Sequence, residues 1–349
     1  MDHNILIEHL ISIRDSTDIQ NSREKALSLL EEIESEEDHD HDYIKTDLTK
    51  ISDSLSQERA SHYAARAIKS LTEVRKGKIN DIDLNRWREY DHIITDSLWI
   101  MDKRERSGAH NADYWGNFIP QIPAQMIERY TKKGEWVLDT FLGSGTTLIE
   151  CRRKGRNGVG IEIWKNAIER SEKNVQSEEN IQGVTTEIIH GDSTRIPYED
   201  FMSRLGIKKF QIAFIHPPYW DIIKFSDEKD DLSNSVTMDE FLSKIRRVGE
   251  KVFNVLEEGR MAIMVIGDKY QNGEIIPLGF YSMNEMLSSG FTLKSIIVKN
   301  YEKTRGKTNQ EELWRYRALV GNFYVFKHEY IFVFEKKRKR TNYKKSQKE

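Results

Sequence analysis

Apolar positions divide the chain into two regimes. Over residues 1–95 they recur at helical spacing without strand alternation: Ile5, Ile7, Leu10 and Ile13, then Leu27, Leu29, Leu30 and Ile33. A further helix is expected from about Gln57 to Lys76, striped by Ala64, Ala67, Ile68 and Leu71. The mostly acidic run Glu31 to Asp42 reads as a solvated turn or loop. Trp87 to Met101 is aromatic and apolar, and Gly108 to Pro123 is a connector rich in Gly, Pro and Asn. From Trp136 short apolar runs alternate with helical segments, as in a parallel sheet. Strands are expected at 136–140, 158–163, 184–190, 211–215 and 260–266, with helices at 145–154, 165–177 and 238–257. A helix near 281–289 precedes two more strands, Phe291 to Val298 and Glu329 to Phe334, the last pair antiparallel.

The expected architecture is therefore α/β: a Rossmann-like, seven-stranded sheet at 96–335, a helical region at 1–95 and a basic tail at 336–349. Charge sharpens the division. The net charge is −3, yet residues 1–50 hold 5 Lys/Arg against 14 Asp/Glu, whereas 301–349 hold 14 against 6. A polyanion would be repelled by the first segment and attracted to the last. No apolar run approaches the ~20 residues that span a bilayer, and the start lacks the pattern of a signal peptide. The single cysteine, Cys151, excludes an internal disulfide and reads as a small packing residue of a helix. These features suit a cytoplasmic protein. His39-Asp-His-Asp42 reads as solvated charge, and no metal is expected.

Two segments carry chemistry. Val137-Leu-Asp-Thr-Phe-Leu-Gly-Ser-Gly-Thr-Thr147 is an apolar strand running into a glycine turn and a helix start. Gly143 and Gly145 let a ligand approach the main chain, and Thr146 and Thr147 suit a helix N-terminus. Leu148 stands where the dinucleotide fingerprint has its third glycine, which shifts the weight away from NAD. The next strand ends at Glu162, placed to accept from ribose hydroxyls, and the third at Asp192, placed to accept from an adenine amino group. The second segment, His216-Pro-Pro-Tyr219, follows the apolar strand Gln211 to Ile215. Ligands bind at such carboxyl ends in open α/β sheets.

Phe141-Leu-Gly-Ser-Gly-Thr-Thr147 resembles the cofactor motif of the amino-group DNA methyltransferases, which make N4-methylcytosine or N6-methyladenine. His216-Pro-Pro-Tyr219 is similar to their catalytic motif, (Asp/Asn/Ser)-Pro-Pro-(Tyr/Phe/Trp). Asn117-Phe-Ile-Pro-Gln-Ile-Pro123 resembles the segment covering the methionine end of the cofactor. The resemblance spans roughly 110–335. It implies S-adenosylmethionine as cofactor, held by Asp139, Phe141, Gly143, Ser144, Gly145, Thr146, Glu162 and Asp192. It further implies DNA methylation of the restriction–modification kind, with His216, Pro217, Pro218 and Tyr219 acting on a flipped base. Two positions depart from the pattern: His216 replaces Asp, Asn or Ser, and Thr140 replaces proline. Pro217-Pro-Tyr-Trp220 inclines the target towards cytosine N4 over adenine N6.

Trp220, Lys224, Arg315 and Arg317 are candidate substrate contacts. The aromatic and basic stretch from Trp314 to Glu329 suits stacking and phosphate contact, the alternative being core aromatics of a β-hairpin; the expectation is a split, with Arg315, Arg317 and Lys327 exposed and the phenylalanines buried. Asp268 is either site-facing or a turn acid. No recognition insert of domain size is visible. Target choice then falls to the loops 221–237, 268–280 and 299–326, to residues 1–95, or to a homodimer or specificity partner bound there. The alternatives are an RNA base methyltransferase acting on adenine N6 or guanine N2, and an inactive nucleic-acid-binding relative.

Overall fold

The computed structural model describes residues 2–35, 41–111, 116–300 and 311–338, and its chain separates into one compact unit ending at Ile93 and another beginning at Ile94. The first unit consists of helices α1 (His3–Asp15), α2 (Ile19–Ser35), α3 (Asp42–Ser52) and α4 (Gln57–Thr72). Leu6, Leu10, Ile13, Leu29, Ile33, Ile44, Leu48, Ile51, Ala64 and Ala67 form its core; Ile5 and Leu27, expected on the apolar stripe, are exposed, and their neighbours Leu6 and Ala26 point inward instead. Within it, buried Asp47 is paired with Arg66 and, at 3.5 Å, with Arg88. Two expectations change here. Part of the acidic run is helical, since α2 continues through Ser35 and α3 starts at Asp42, and α4 ends at Thr72 rather than Lys76. His39 and Asp40 lie outside the described residues.

The second unit is built on an eight-stranded sheet. Its strands are β1 (Leu98–Trp99), β2 (Trp136–Asp139), β3 (Asn157–Glu162), β4 (Thr186–His190), β5 (Phe210–Ile215), β6 (Leu256–Ile266), β9 (Thr292–Asn300) and β10 (His328–Glu335). They lie in the order β1-β9-β10-β6-β5-β2-β3-β4, and β10 runs antiparallel to both its neighbours, β9 and β6. The remaining pairs are parallel. The eighth strand is the short β1, whose Leu98 pairs with Val298 at the sheet edge.

Helices α5 (Gln121–Tyr130), α6 (Thr146–Lys154), α7 (Lys165–Ser177), α8 (Tyr198–Arg204), α9 (Met238–Val255) and α10 (Leu278–Ser288) accompany the sheet. Along α9, Phe241, Ile245, Val248, Val252 and Val255 are buried at helical spacing among the aliphatic residues of the parallel strands. Strand β3 carries Gly158 and Gly160 because α6 and the turn before it pack closely there. A Cβ on Gly158 would meet Leu148 Cδ2 at 2.6 Å and Cys151 Sγ at 2.9 Å, which also accounts for the buried cysteine.

Two segments differ from expectation. Residues 268–280 contain a hairpin of β7 (Lys269–Gln271) and β8 (Glu274–Ile276). Asn272 and Gly273 form its tip at φ 53° and 86°, the left-handed pair that two-residue hairpins require. The aromatic and basic stretch, for which a β-hairpin is the alternative reading, instead begins within helix α11 (Glu311–Gly321). Its residues lack period-two alternation, and Leu, Arg and Ala are good helix formers. Asn322 at φ 53° ends it, with the Phe323 N–H donating to the Ala318 carbonyl at 3.1 Å, a left-handed C-terminal cap. Phe323 and Phe326 are half-buried rather than buried.

Candidate active site

The ends of β2 and β5 are neighbours because the two strands pair in register, Asp139 opposite Phe214. The glycine turn and His216-Pro-Pro-Tyr219 therefore leave the sheet side by side. Thr140 binds them together. Its N–H and its Oγ1 both donate to the Phe214 carbonyl, at 3.0 and 3.1 Å, and its own carbonyl accepts from Ser193 Oγ at 2.5 Å. A proline at 140 could supply neither donor. This departure from the family pattern thus adds a link between β2 and β5 and one to the loop after β4.

The turn is organised by buried carboxylates. Asp139 accepts from the Phe141 N–H at 2.9 Å and from Thr147 Oγ1 at 2.5 Å. Glu162 accepts from the Gly143 N–H at 2.8 Å and the Trp164 N–H at 2.9 Å. Burial dominates both groups, raising Asp139 to about 6 and Glu162 to about 7 despite those hydrogen bonds. Gly143 and Gly145 stand at φ 57° and 91°, conformations that glycine adopts without strain. Gly145 caps α6 without a side chain, leaving a bare helix start beside the turn. Asp192 turns back on its own loop, accepting from the Thr194 N–H at 2.8 Å and Thr194 Oγ1 at 2.7 Å, with Arg195 Nε at 3.5 Å.

A dipeptide joins this cradle to the reaction centre. Asn117 donates through Nδ2 to Ser144 Oγ and accepts through Oδ1 from Thr146 Oγ1, each at 2.7 Å. Ser144 and Thr146 thus hold the covering segment. The Phe118 ring lies 4.8 Å from the His216 ring, centroid to centroid. Arg104 fixes the dipeptide from behind, donating to the Asn117 and Phe118 carbonyls at 3.1 and 3.0 Å.

His216 sits against Phe118 and, edge to face at 5.9 Å, against Tyr219. Desolvation lowers its pKa to about 4, Glu329 opposing and Lys299 reinforcing the shift. The imidazole is therefore neutral at physiological pH, with a lone pair to offer, and it titrates well below the near-neutral range usual for histidine. Pro217 is buried. The Tyr219 hydroxyl donates to Glu329 Oε2 at 2.9 Å, and Lys299 Nζ donates to Glu329 Oε1 at 3.0 Å. Neither Lys299 nor Glu329 stands out in the sequence, because each sits at the end of an apolar run next to other polar residues, where exposed charges are ordinary.

Of the candidate substrate residues, Trp220 adjoins the centre. It adopts φ 51°, donates from Nε1 to the Ser235 carbonyl at 2.9 Å and lies 4.2 Å below Lys269 Nζ, which also pairs with Asp221. Exposed Lys224 pairs with Asp227 at 2.6 Å. Asp268 supports structure: it accepts from the Gly279 N–H near the start of α10 and from the Tyr330 hydroxyl. Arg315, Arg317 and Lys327 are exposed. Arg315 and Lys327 line a groove of about 540 Å³ with Trp314, Leu319, Phe323 and Tyr324, and no residue from the ends of β2 to β5 enters it. Among the described residues no helix is long and apolar enough to cross a membrane, and no cluster of three potential metal ligands occurs.

A mostly parallel sheet with β10 inserted antiparallel, a glycine turn after β2 and acids closing β2 and β3 define the Rossmann-like methyltransferase fold. The profile of the N6_N4_Mtase family, described as DNA methylase, matches residues 16–173 and 210–349, and the chain belongs to that family. Its cofactor is S-adenosylmethionine, and the two positive-φ glycines, the uncapped start of α6 and the buried Glu162 fit that group. The chain is 38% identical over 68 residues to the Type II methyltransferase M.MjaII of Methanocaldococcus jannaschii, covering 18% of this chain and 12% of that protein. It is 40% identical over 80 residues to the Type II methyltransferase M.BglI of Bacillus subtilis, covering 23% and 22%. The chain thus matches less than a quarter of the length of either relative. Among solved structures, it resembles a SAM-dependent methyltransferase of Methanosarcina mazei at TM-score 0.41 and 15% identity, over 61% of this chain and 97% of that one.

Proposed function

We propose that the protein methylates an exocyclic amino group of a base flipped out of DNA, and that the base is cytosine, methylated at N4. The observation that carries this reading is the neutral His216 imidazole beside Tyr219, one strand away from the glycine turn. An exocyclic amine is a poor nucleophile because its lone pair is delocalised into the ring. Two acceptors, His216 and the Pro217 carbonyl, would take its two hydrogens, favour a pyramidal nitrogen and aim the lone pair. Tyr219 would stack on the base. Bound S-adenosylmethionine supplies the activated methyl group.

Asp139, Phe141, Gly143, Gly145, Glu162 and Asp192 are the proposed cofactor contacts, with Ser144 and Thr146 acting through Asn117. Each Glu162 oxygen already accepts one backbone N–H and retains a second lone pair for a ribose hydroxyl. Positioning and electrostatics carry the transfer. The amine would gain the methyl as the cofactor's carbon–sulfur bond is lost and its sulfur left neutral, so the positive charge would pass to nitrogen and a proton would leave it. A base as weak as His216 relays that proton to water rather than keeping it. Pro218 stiffens the turn. The choice of cytosine rests on Trp220 following Tyr219, and Trp220, Lys224, Arg315 and Arg317 are assigned to the substrate side. A protein partner or second copy would engage residues 1–95.

The test is to incubate purified protein with labelled S-adenosylmethionine and unmethylated DNA or total RNA, then identify modified nucleosides by mass spectrometry. N4-methylcytosine in DNA is the expected product. N6-methyladenine would overturn the choice of base, and label confined to RNA would overturn the substrate.

A further inference from the structure

Lys299 and Glu329 face each other on adjacent strands, paired in the β9–β10 register, and both are buried. Desolvating two charges costs several kcal/mol each and is recovered only with good geometry and further hydrogen bonds, so a merely structural pair at this strand end has little to recommend it. This pair has an additional partner. Glu329 gives one oxygen to Lys299 and the other to the Tyr219 hydroxyl. At the Cδ2–Cε2 edge of the ring lies Gly267, where a Cβ would come to 3.0 Å from Tyr219 Cε2. Tyr219 is thus tethered at its hydroxyl and closely approached by the backbone after β6.

We propose that the Lys299–Glu329 pair is a positioning device for the reaction. It holds the Tyr219 ring in one orientation before the base arrives, so that stacking aligns the amine with His216 and the Pro217 carbonyl. The idea rests on the function proposed above. Lys299 fixes one oxygen of Glu329, the other oxygen holds the hydroxyl, and the hydroxyl sets the ring plane. Gly267 is left without a side chain so that the ring can lie there.

Two double variants isolate the tether without leaving an unpaired buried charge: Lys299→Met with Glu329→Gln, which keeps an acceptor for the hydroxyl, and Lys299→Met with Glu329→Leu, which does not. With 3-fluorotyrosine incorporated in place of Tyr219, the fluorine NMR signal should stay narrow and near its original shift in the Gln variant and should move or broaden in the Leu variant. In methylation assays the Leu variant should lose about three- to tenfold in kcat relative to the Gln variant, the scale of one neutral hydrogen bond, with cofactor Kd unchanged. Repeating the comparison on a Tyr219→Phe background should abolish the difference. A difference that survives there, or identical fluorine spectra, overturns the proposal. Should either double variant fail to fold, Tyr219→Phe alone decides: it keeps the ring and removes the tether, and full kcat would overturn the idea. The fluorine measurement needs no DNA. A protein that methylates no DNA therefore counts against the proposed function, whereas an unchanged fluorine signal counts against the tether.

Discussion

Glu162 carries an energetic signature that can be read without substrate. Its folded pKa, about 7, exceeds the 4.5 of the exposed group because burial outweighs the N–H bonds from Gly143 and Trp164. For a raised acid the folded state binds more protons, so its contribution is fully present below pH 4.5 and is lost as pH rises through about 7. Taken from pH 5 to pH 8, the loss from this residue is about 2–3 kcal/mol, as each pKa unit is worth about 1.4 kcal/mol. Asp139, raised to about 6, acts in the same direction, whereas His216, lowered to about 4, acts oppositely between its folded and unfolded values. Wild-type stability alone would mix the three. The informative quantity is the difference between wild type and Glu162→Gln, in which the other two cancel.

Urea denaturation at pH 5, 6, 7 and 8 should show the Gln variant gaining on wild type by that amount across the range. The absolute offset is set by the amide, whose NH2 meets one of the two backbone donors and costs about 1–3 kcal/mol at every pH. Saturating S-adenosylmethionine should reduce the wild-type slope, since donors from the ligand hold the carboxylate ionised, and the variant should bind the cofactor about 10- to 100-fold more weakly. Parallel stability curves for the two proteins would refute the argument that this buried acid is charged at the cost of folding.

Other expectations are as direct. Tyr219→Ala should abolish turnover while cofactor Kd, measured by calorimetry, stays nearly unchanged; equal loss of both would count against its role at the base. With S-adenosylmethionine saturating, so that protonation of Glu162 and Asp139 does not limit binding, kcat of the wild type should persist at pH 5.5 and fail only as pH nears 4, where His216 protonates and ceases to accept; loss of kcat centred on pH 6.5 under saturation would contradict its desolvation. Thr140→Val should cost about 1 kcal/mol in urea denaturation by removing the Oγ1 bond to Phe214, and Thr140→Pro more, because the N–H bond goes as well. Gly160→Ala would bring a Cβ to 2.5 Å from Leu142 Cδ1; about 1–3 kcal/mol of destabilisation and weaker cofactor binding should follow, and an unaffected Kd would separate Leu142 from the cradle.

What could be read from the sequence follows from the range of the forces involved. Parallel strands buried on both faces are near-continuous apolar runs, so β2, β3, β5 and β6 stood out, and the glycine turn and the two prolines gave their exits. Elements resting on tertiary context were harder. The segment Trp314 to Glu329 carries aromatics compatible with either state, and the helix was decided by the Asn322 cap and by ordinary propensity. The Asn272-Gly273 tip is a clear local hairpin signal set in a segment whose composition otherwise reads as loop. Asn117 was noticed as part of a covering segment, yet its grip on Ser144 and Thr146 depends on two side chains meeting across the turn.

The deepest omission concerns the reaction centre itself. Tyr219 and Glu329 lie 110 positions apart, and Glu329 and Lys299 lie 30 apart. Their meeting depends on strand order: β10 comes between β6 and β9, which brings a carboxylate near Gly267, against which the edge of Tyr219 lies. Local periodicity contains no information about which strand neighbours which. A buried charge in an apolar run is nevertheless a marker of its own, because an unpaired one would cost too much to survive in the fold. Each such charge demands a partner, and where the partner borders a candidate site, function is the economical explanation for both. In this chain Glu329 and Lys299 stand at the ends of their apolar runs beside other polar residues, so it is the fold that shows them buried; the fold also supplies Tyr219 as their neighbour, and with it a reason for the charges to be there.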